Sequence, residues 1–156
     1  MGLKFMNTTT GLTFLLLMVG IYTKEVGADL TCGMNWPLCD GAVYGVFPAN
    51  IPSAIEWSHR FLAFIVGILI LFAVYRAWKI YGKDSRITKS IIFSALLLPI
   101  QVGLGAVTVM KVRLFPGGNR ILIEPLISVA HNAVGVLILV ALVSATLWEW
   151  DKKKIS

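Results

Sequence analysis

Hydrophobic positions in this chain are gathered into four blocks, around GLTFLLLMVG, FLAFIVGILILFAVY, IIFSALLLPIQVGLGAVTV and LISVAHNAVGVLILVALVSATLW. Polar, Gly/Pro-containing or charged segments separate them. A helix needs about 20 mostly apolar residues to cross a bilayer. The pattern therefore predicts an all-α integral membrane protein, a bundle of four transmembrane helices forming a single domain over 1–156. The expected spans are Phe5–Tyr22, Ile55–Tyr75, Ile87–Met110 and Pro125–Trp148, with a long outer loop over Thr23–Ala54. Lys4 ahead of the first block resembles the start of a secretory signal. No small-x-small cleavage site follows it, only IYTKEVGAD, so the first block is expected to stay as a helix.

Composition agrees with a membrane protein: 57% of residues are hydrophobic, 14% are charged, and mean hydropathy is +0.80. The net charge of +6 raises the question of a nucleic-acid partner, and its placement answers it. Lys4, the loop from Arg76 to Lys89 and the tail after Trp148 hold nine basic and three acidic residues. The opposite side holds five of each. All the positive excess lies on one face, which marks that face as cytoplasmic. Both termini are expected inside the cell, and the Thr23–Ala54 and Lys111–Glu124 loops outside the plasma membrane. The basic residues then set topology and meet anionic membrane lipid, with no nucleic acid involved.

Helices two and four thus run in the same direction, outside to inside. Each carries one of the two histidines in the chain, His59 and His131. Beyond the adjacent Arg60, the first charge inward of His59 is Arg76, 17 residues on; from His131 it is Glu149, 18 residues on. At 1.5 Å per residue both lie about 26 Å from the inner boundary. In a four-helix bundle, imidazoles level on diagonal helices can clasp one flat metal complex, and haem is the obvious candidate. The plainer alternative is a pair of histidines that hydrogen-bond between helices. Zinc lacks further ligands at that depth, and no Cys-x-x-Cys-His is present for covalent haem. Glu56 precedes His59 by three residues on one helical face. It can move protons at a haem edge or simply complement the helix dipole. Arg60 reaches either a haem propionate or the lipid headgroups.

Cys32 and Cys39 are the only thiols, in TCGMNWPLCDG. An outward-facing pair reads as a disulfide, either a structural clip or a redox-active pair. In LLPIQVGLGAV, Pro99, Gly103 and Gly105 suggest a kinked, closely packed helix, with Gln101 hydrogen-bonding between helices.

Together, YTKEVGADLTCGMNWPLCDG, EWSHRF, IQVGLGAVTV and SVAHNAVGV resemble the haem A synthase family over essentially the whole chain. The resemblance implies oxidation of the C8 methyl of haem O to a formyl group, making haem A for terminal oxidases, with oxygen from water. It implies His59 and His131 as haem iron ligands, Glu56 as catalytic residue beside the methyl, and Cys32–Cys39 as an outer disulfide. Arg60 and Arg120 are the candidate propionate partners; Arg113 is less well placed. Family members usually have eight helices in two similar halves, one for the substrate haem and one for a haem b cofactor. This chain resembles the substrate half alone. A homodimer is the simplest substitute for the missing half, with Gly103, Gly105 or Gly135 as candidate interface residues. The electron acceptor is unidentified. A b-type electron-transfer cytochrome, a haem-binding assembly factor and a membrane thiol oxidoreductase are the rival readings of the same fold.

Overall fold

The computed structural model describes residues 2–33, 39, 48, 50–114 and 120–155, and the side chains of these except for 110–124 and 155. Four helices follow one another: α1 (Leu3–Glu25), α2 (Ile51–Tyr81), α3 (Arg86–Leu114) and α4 (Arg120–Ile155). All four are long and apolar enough to cross a membrane.

Each helix outruns its apolar block. α2 starts at Ile51 because Asn50 caps it, its side-chain oxygen accepting the Ser53 N–H at 2.9 Å, with Pro52 in the first turn. It ends at Gly82, whose φ of 75° suits a residue without Cβ. α4 continues past Trp148 to Ile155, and its last turn carries Lys152, Lys153 and Lys154, where cations favour the helix dipole. The apolar blocks thus mark the lipid-embedded core of each helix, while capping groups and charges set where the helix stops.

The helices form a square. α1 packs on α2, α2 on α3, α3 on α4 and α4 on α1. Among the described residues, the backbones of α2 and α4 do not come close, nor do those of α1 and α3, so each of these pairs sits on a diagonal. At one end, Glu149 Oε1 accepts both the Gly2 N–H at 3.1 Å and the Tyr81 hydroxyl at 2.8 Å. This buried carboxylate ties together the start of α1, the end of α2 and the end of α4. α2 and α4 therefore run toward the same end, here called the base.

The apolar core is concentrated near that base. Met6, Val66, Ile70, Ala73, Ala77, Ile87, Ile91, Ile138, Leu142 and Ala145 form one buried cluster. In lipid, close packing and hydrogen bonds hold helices together more than the hydrophobic effect does. Ala73, Ala77 and Ala145 keep the backbones close. Ser90 donates to the Ala141 carbonyl at 2.9 Å, and Ser94 to that of Ile138 at 3.3 Å, sewing α3 to α4. Such a bond contributes roughly 0.6 kcal/mol. On α1, Thr9 and Thr13 are buried with their hydroxyls returned to carbonyls one turn back, and Thr10 meets Thr146 of α4 at 3.0 Å. Large side chains such as Phe14, Ile68, Leu71, Leu96 and Val140 remain exposed on the outside, as a lipid-facing surface requires.

Candidate functional site

Above the packed base the interior changes character. His59 projects from α2 against α1, where no Cβ stands in its way. A Cβ built on Gly20 would lie 2.7 Å from His59 Cε1. The polar neighbour of the His59 ring on this side is the Leu16 carbonyl. His131 projects from α4 against α3 in the same manner, with the place of a Cβ on Gly105 at 3.2 Å from its Cε1. Gln101 Nε2 of α3 lies 3.3 Å from His131 Nε2. Both Nδ1 atoms are buried and have no hydrogen-bond partner, as does Gln101 Oε1. A buried polar atom without a partner costs about 1–3 kcal/mol, so these three mark places where the bundle does not meet its own polar requirements.

Glu56 and Arg60 take a different direction. Both are buried, and they form an ion pair one helical turn apart on α2. Glu56 Oε2 accepts the Cys32 N–H at 2.7 Å and the Thr31 hydroxyl at 3.3 Å. Arg60 donates to the Gly33 carbonyl at 2.7 Å. Ser53 donates its hydroxyl to the Thr31 carbonyl at 3.3 Å. Cys32 and Cys39 are joined in a disulfide, and both are buried. The pair near the head of α2 therefore anchors the start of the cysteine loop. None of the carboxylate hydrogen bonds among the described residues runs to an imidazole. Burial makes this arrangement stringent, because a buried ion pair is tolerable only when its remaining polar atoms are also satisfied.

The side chains of Arg113 and Arg120 lie outside the described residues. Of the small residues considered for an interface between copies, Gly105 and Gly135 turn inward. A Cβ on Gly135 would meet Leu17 Cδ2 at 2.6 Å and Gln101 Nε2 at 3.2 Å, whereas Gly103 has open space around it. Sequence reasoning missed the roles of Gly20 and Glu149. For Gly20 the available signal was a glycine inside an apolar helix. Glu149 reads in sequence as one more charge in a cytoplasmic tail.

Among the described residues, no three of His, Cys, Asp and Glu gather as a metal-binding group. The site instead offers two imidazoles from diagonal helices. That donor set suits a metal already held by an equatorial ligand, and iron in a porphyrin, with two axial positions, is such a metal. The fold and site thus define a class: a four-helix membrane bundle with a pair of inward-facing imidazoles.

Comparison with known proteins narrows the class. The family model described as cytochrome oxidase assembly protein (COX15-CtaA) matches residues 48–156. The chain belongs to this family. It is 36% identical to a heme A synthase of Bacillus licheniformis over 104 residues, 66% of this chain and 33% of that protein. It is 39% identical to a heme A synthase of Alkalihalophilus pseudofirmus over 97 residues, 62% of this chain and 32% of that protein. A protoheme IX farnesyltransferase of Halobacterium salinarum is 29% identical over 136 residues, 87% of this chain and 28% of that protein. The chain spans about a third of the length of the curated relatives it matches. No solved structure matches it.

Proposed function

We propose that this chain binds haem O and oxidises its C8 methyl to a formyl group, making haem A for terminal oxidases. The observation that carries the reading is the pair of imidazoles, His59 and His131, on diagonal co-directional helices, each with a buried unpartnered Nδ1 and each facing a glycine. Membership of the cytochrome oxidase assembly family supports it. So do the names of these relatives, which are enzymes of haem modification.

In this reading His59 and His131 ligate the haem iron, which supplies the redox chemistry. Glu56 accepts protons as the methyl is oxidised, with water as the source of oxygen. Its tie to the cysteine loop would then couple that loop to the reacting edge. Arg60 and Arg120 hold the propionates at the extracytoplasmic end, and haem b is the candidate for a second cofactor. The electrons pass to an acceptor outside the chain. The cysteine loop faces outward, both termini are cytoplasmic, and two copies associate through an outer face that includes Gly103.

Expression in cells that make haem O but lack this activity tests the proposal directly. Extracted haems should include haem A or its hydroxylated intermediate. Recovery of haem b alone, with haem O unchanged when an oxidant is supplied, would sink the enzyme and leave an electron-transfer cytochrome. The name of the Halobacterium salinarum relative favours a further check, for farnesyl transfer. A gain of haem O from haem b in cells lacking the transferase would move the assignment there.

A further inference from the structure

Gln101 stands where the metal would have to go. Its Nε2 is the hydrogen-bonding neighbour of His131 Nε2 at 3.3 Å. A neutral imidazole has one nitrogen lone pair to offer, so an amide N–H donating to Nε2 and an iron atom bound at Nε2 exclude each other. The amide contact is a poor resting state. It is long for a hydrogen bond, and it leaves Gln101 Oε1 buried without a partner. The amide is also confined, because its Nε2 lies 3.2 Å from where a Cβ on Gly135 would be, and that same position is 2.6 Å from Leu17 Cδ2. The absence of a side chain at Gly135 is what leaves room for the amide between α3 and α4.

His59 has no comparable rival. Among the described residues each ring has a backbone carbonyl neighbour, that of Leu16 for His59 and that of Gln101 for His131, and only His131 has a side-chain amide as well.

Resting on the haem reading above, we infer that Gln101 competes with haem iron for His131, so that the His131 bond is the releasable one of the two. An enzyme whose substrate and product are both haems needs one such bond. A bundle that held iron equally fast on both sides would retain its product. Gln101 is accordingly a positioning residue. It receives the imidazole when iron leaves and yields it when iron arrives.

The test uses the full chain in detergent, loaded with haem and mixed with excess apomyoglobin as haem acceptor, with transfer followed by absorbance. Gln101→Leu removes the amide at similar size, and Gln101→Asn shortens its reach, so one variant stands in if the other does not fold. Both should keep the bis-imidazole spectrum and release haem about two- to ten-fold more slowly than the native chain, the range expected for one lost competing hydrogen bond. A merely structural glutamine predicts the opposite sign, since a loosened seat sheds haem faster. Release that is unchanged or faster in the folded variants overturns the inference while leaving the haem reading intact. A native chain whose haem spectrum is indifferent to His131→Ala overturns the haem reading and the inference with it.

Discussion

Gly20 shows how much a single hydrogen atom in place of a methyl group decides in this bundle. His59 Cε1 occupies space that an alanine side chain would need, at 2.7 Å from the ideal Cβ position. The neighbour is a ring locked between helices, so little can give way. Gly20→Ala is expected to destabilise the protein by about 1–3 kcal/mol, as overpacked interiors do, and to disturb any haem bound at His59. Thermal unfolding in detergent and the haem absorbance spectrum read the two effects. Gly11→Ala on the same helix serves as the control, because nothing lies near its Cβ position; equal behaviour of the two variants would refute the argument. The histidines themselves stood out in the sequence, one on α2 and one on α4. Their glycine partners did not, because a glycine facing lipid and a glycine facing a ring are indistinguishable until the helix rotation is known.

At the scale of elements, the head of α2 and the loop before it behave as one unit. The sequence suggests a disulfide and a catalytic carboxylate as separate features, and the structure joins them through the Cys32 N–H and Glu56 Oε2. Spacing along a helix reports which residues share a face, but not which of them a distant loop folds back to meet. Loss of activity in Glu56→Ala would therefore not isolate a chemical role, since the change also removes the Glu56 contacts to Arg60 and to the Cys32 N–H. Glu56→Gln keeps an acceptor for the Cys32 N–H. The rate at which dithiothreitol reduces Cys32–Cys39 separates the two effects. It should rise on the order of tenfold in Glu56→Ala, given a cost of about 1–3 kcal/mol for one unmet buried group, and much less in Glu56→Gln. Equal rates in both variants and the native chain would mean that the carboxylate does not secure the loop. The four helices were legible because an apolar run of membrane length is rare outside a bilayer. Their ends were not, because Asn50 and the lysine-rich last turn of α4 extend helix into polar sequence.

For the molecule as a whole, charge and aromatic side chains agree on where the membrane boundary lies. Tyr75, Trp78, Trp148 and Trp150 are exposed near the base. Lys79 lies over the Tyr75 ring and Lys154 over that of Trp150. Aromatic rings of this kind settle at the headgroup level, and lysines beside them favour an anionic leaflet. A cysteine introduced as Lys83→Cys, in the short turn between α2 and α3, should react with an impermeant maleimide only after cells are opened. Labelling in intact cells would reverse the orientation.

The uneven distribution of the core has a mechanical consequence. Ten buried apolar residues and the Glu149 clip fasten the helices at the base, while the opposite part holds rings, glycines and unmet nitrogens. Because the segment after α1 is also joined to the head of α2 at the far end, through Cys32 and Glu56, the lever that can swing there is the pair α3 and α4 against them. His59 is 14 residues from Ala73, or about 20 Å along the axis, so a tilt of about 10° opens the far end by roughly 3–4 Å. A broad, flat guest can thus be admitted by splaying the mouth, with the fastened end left undisturbed.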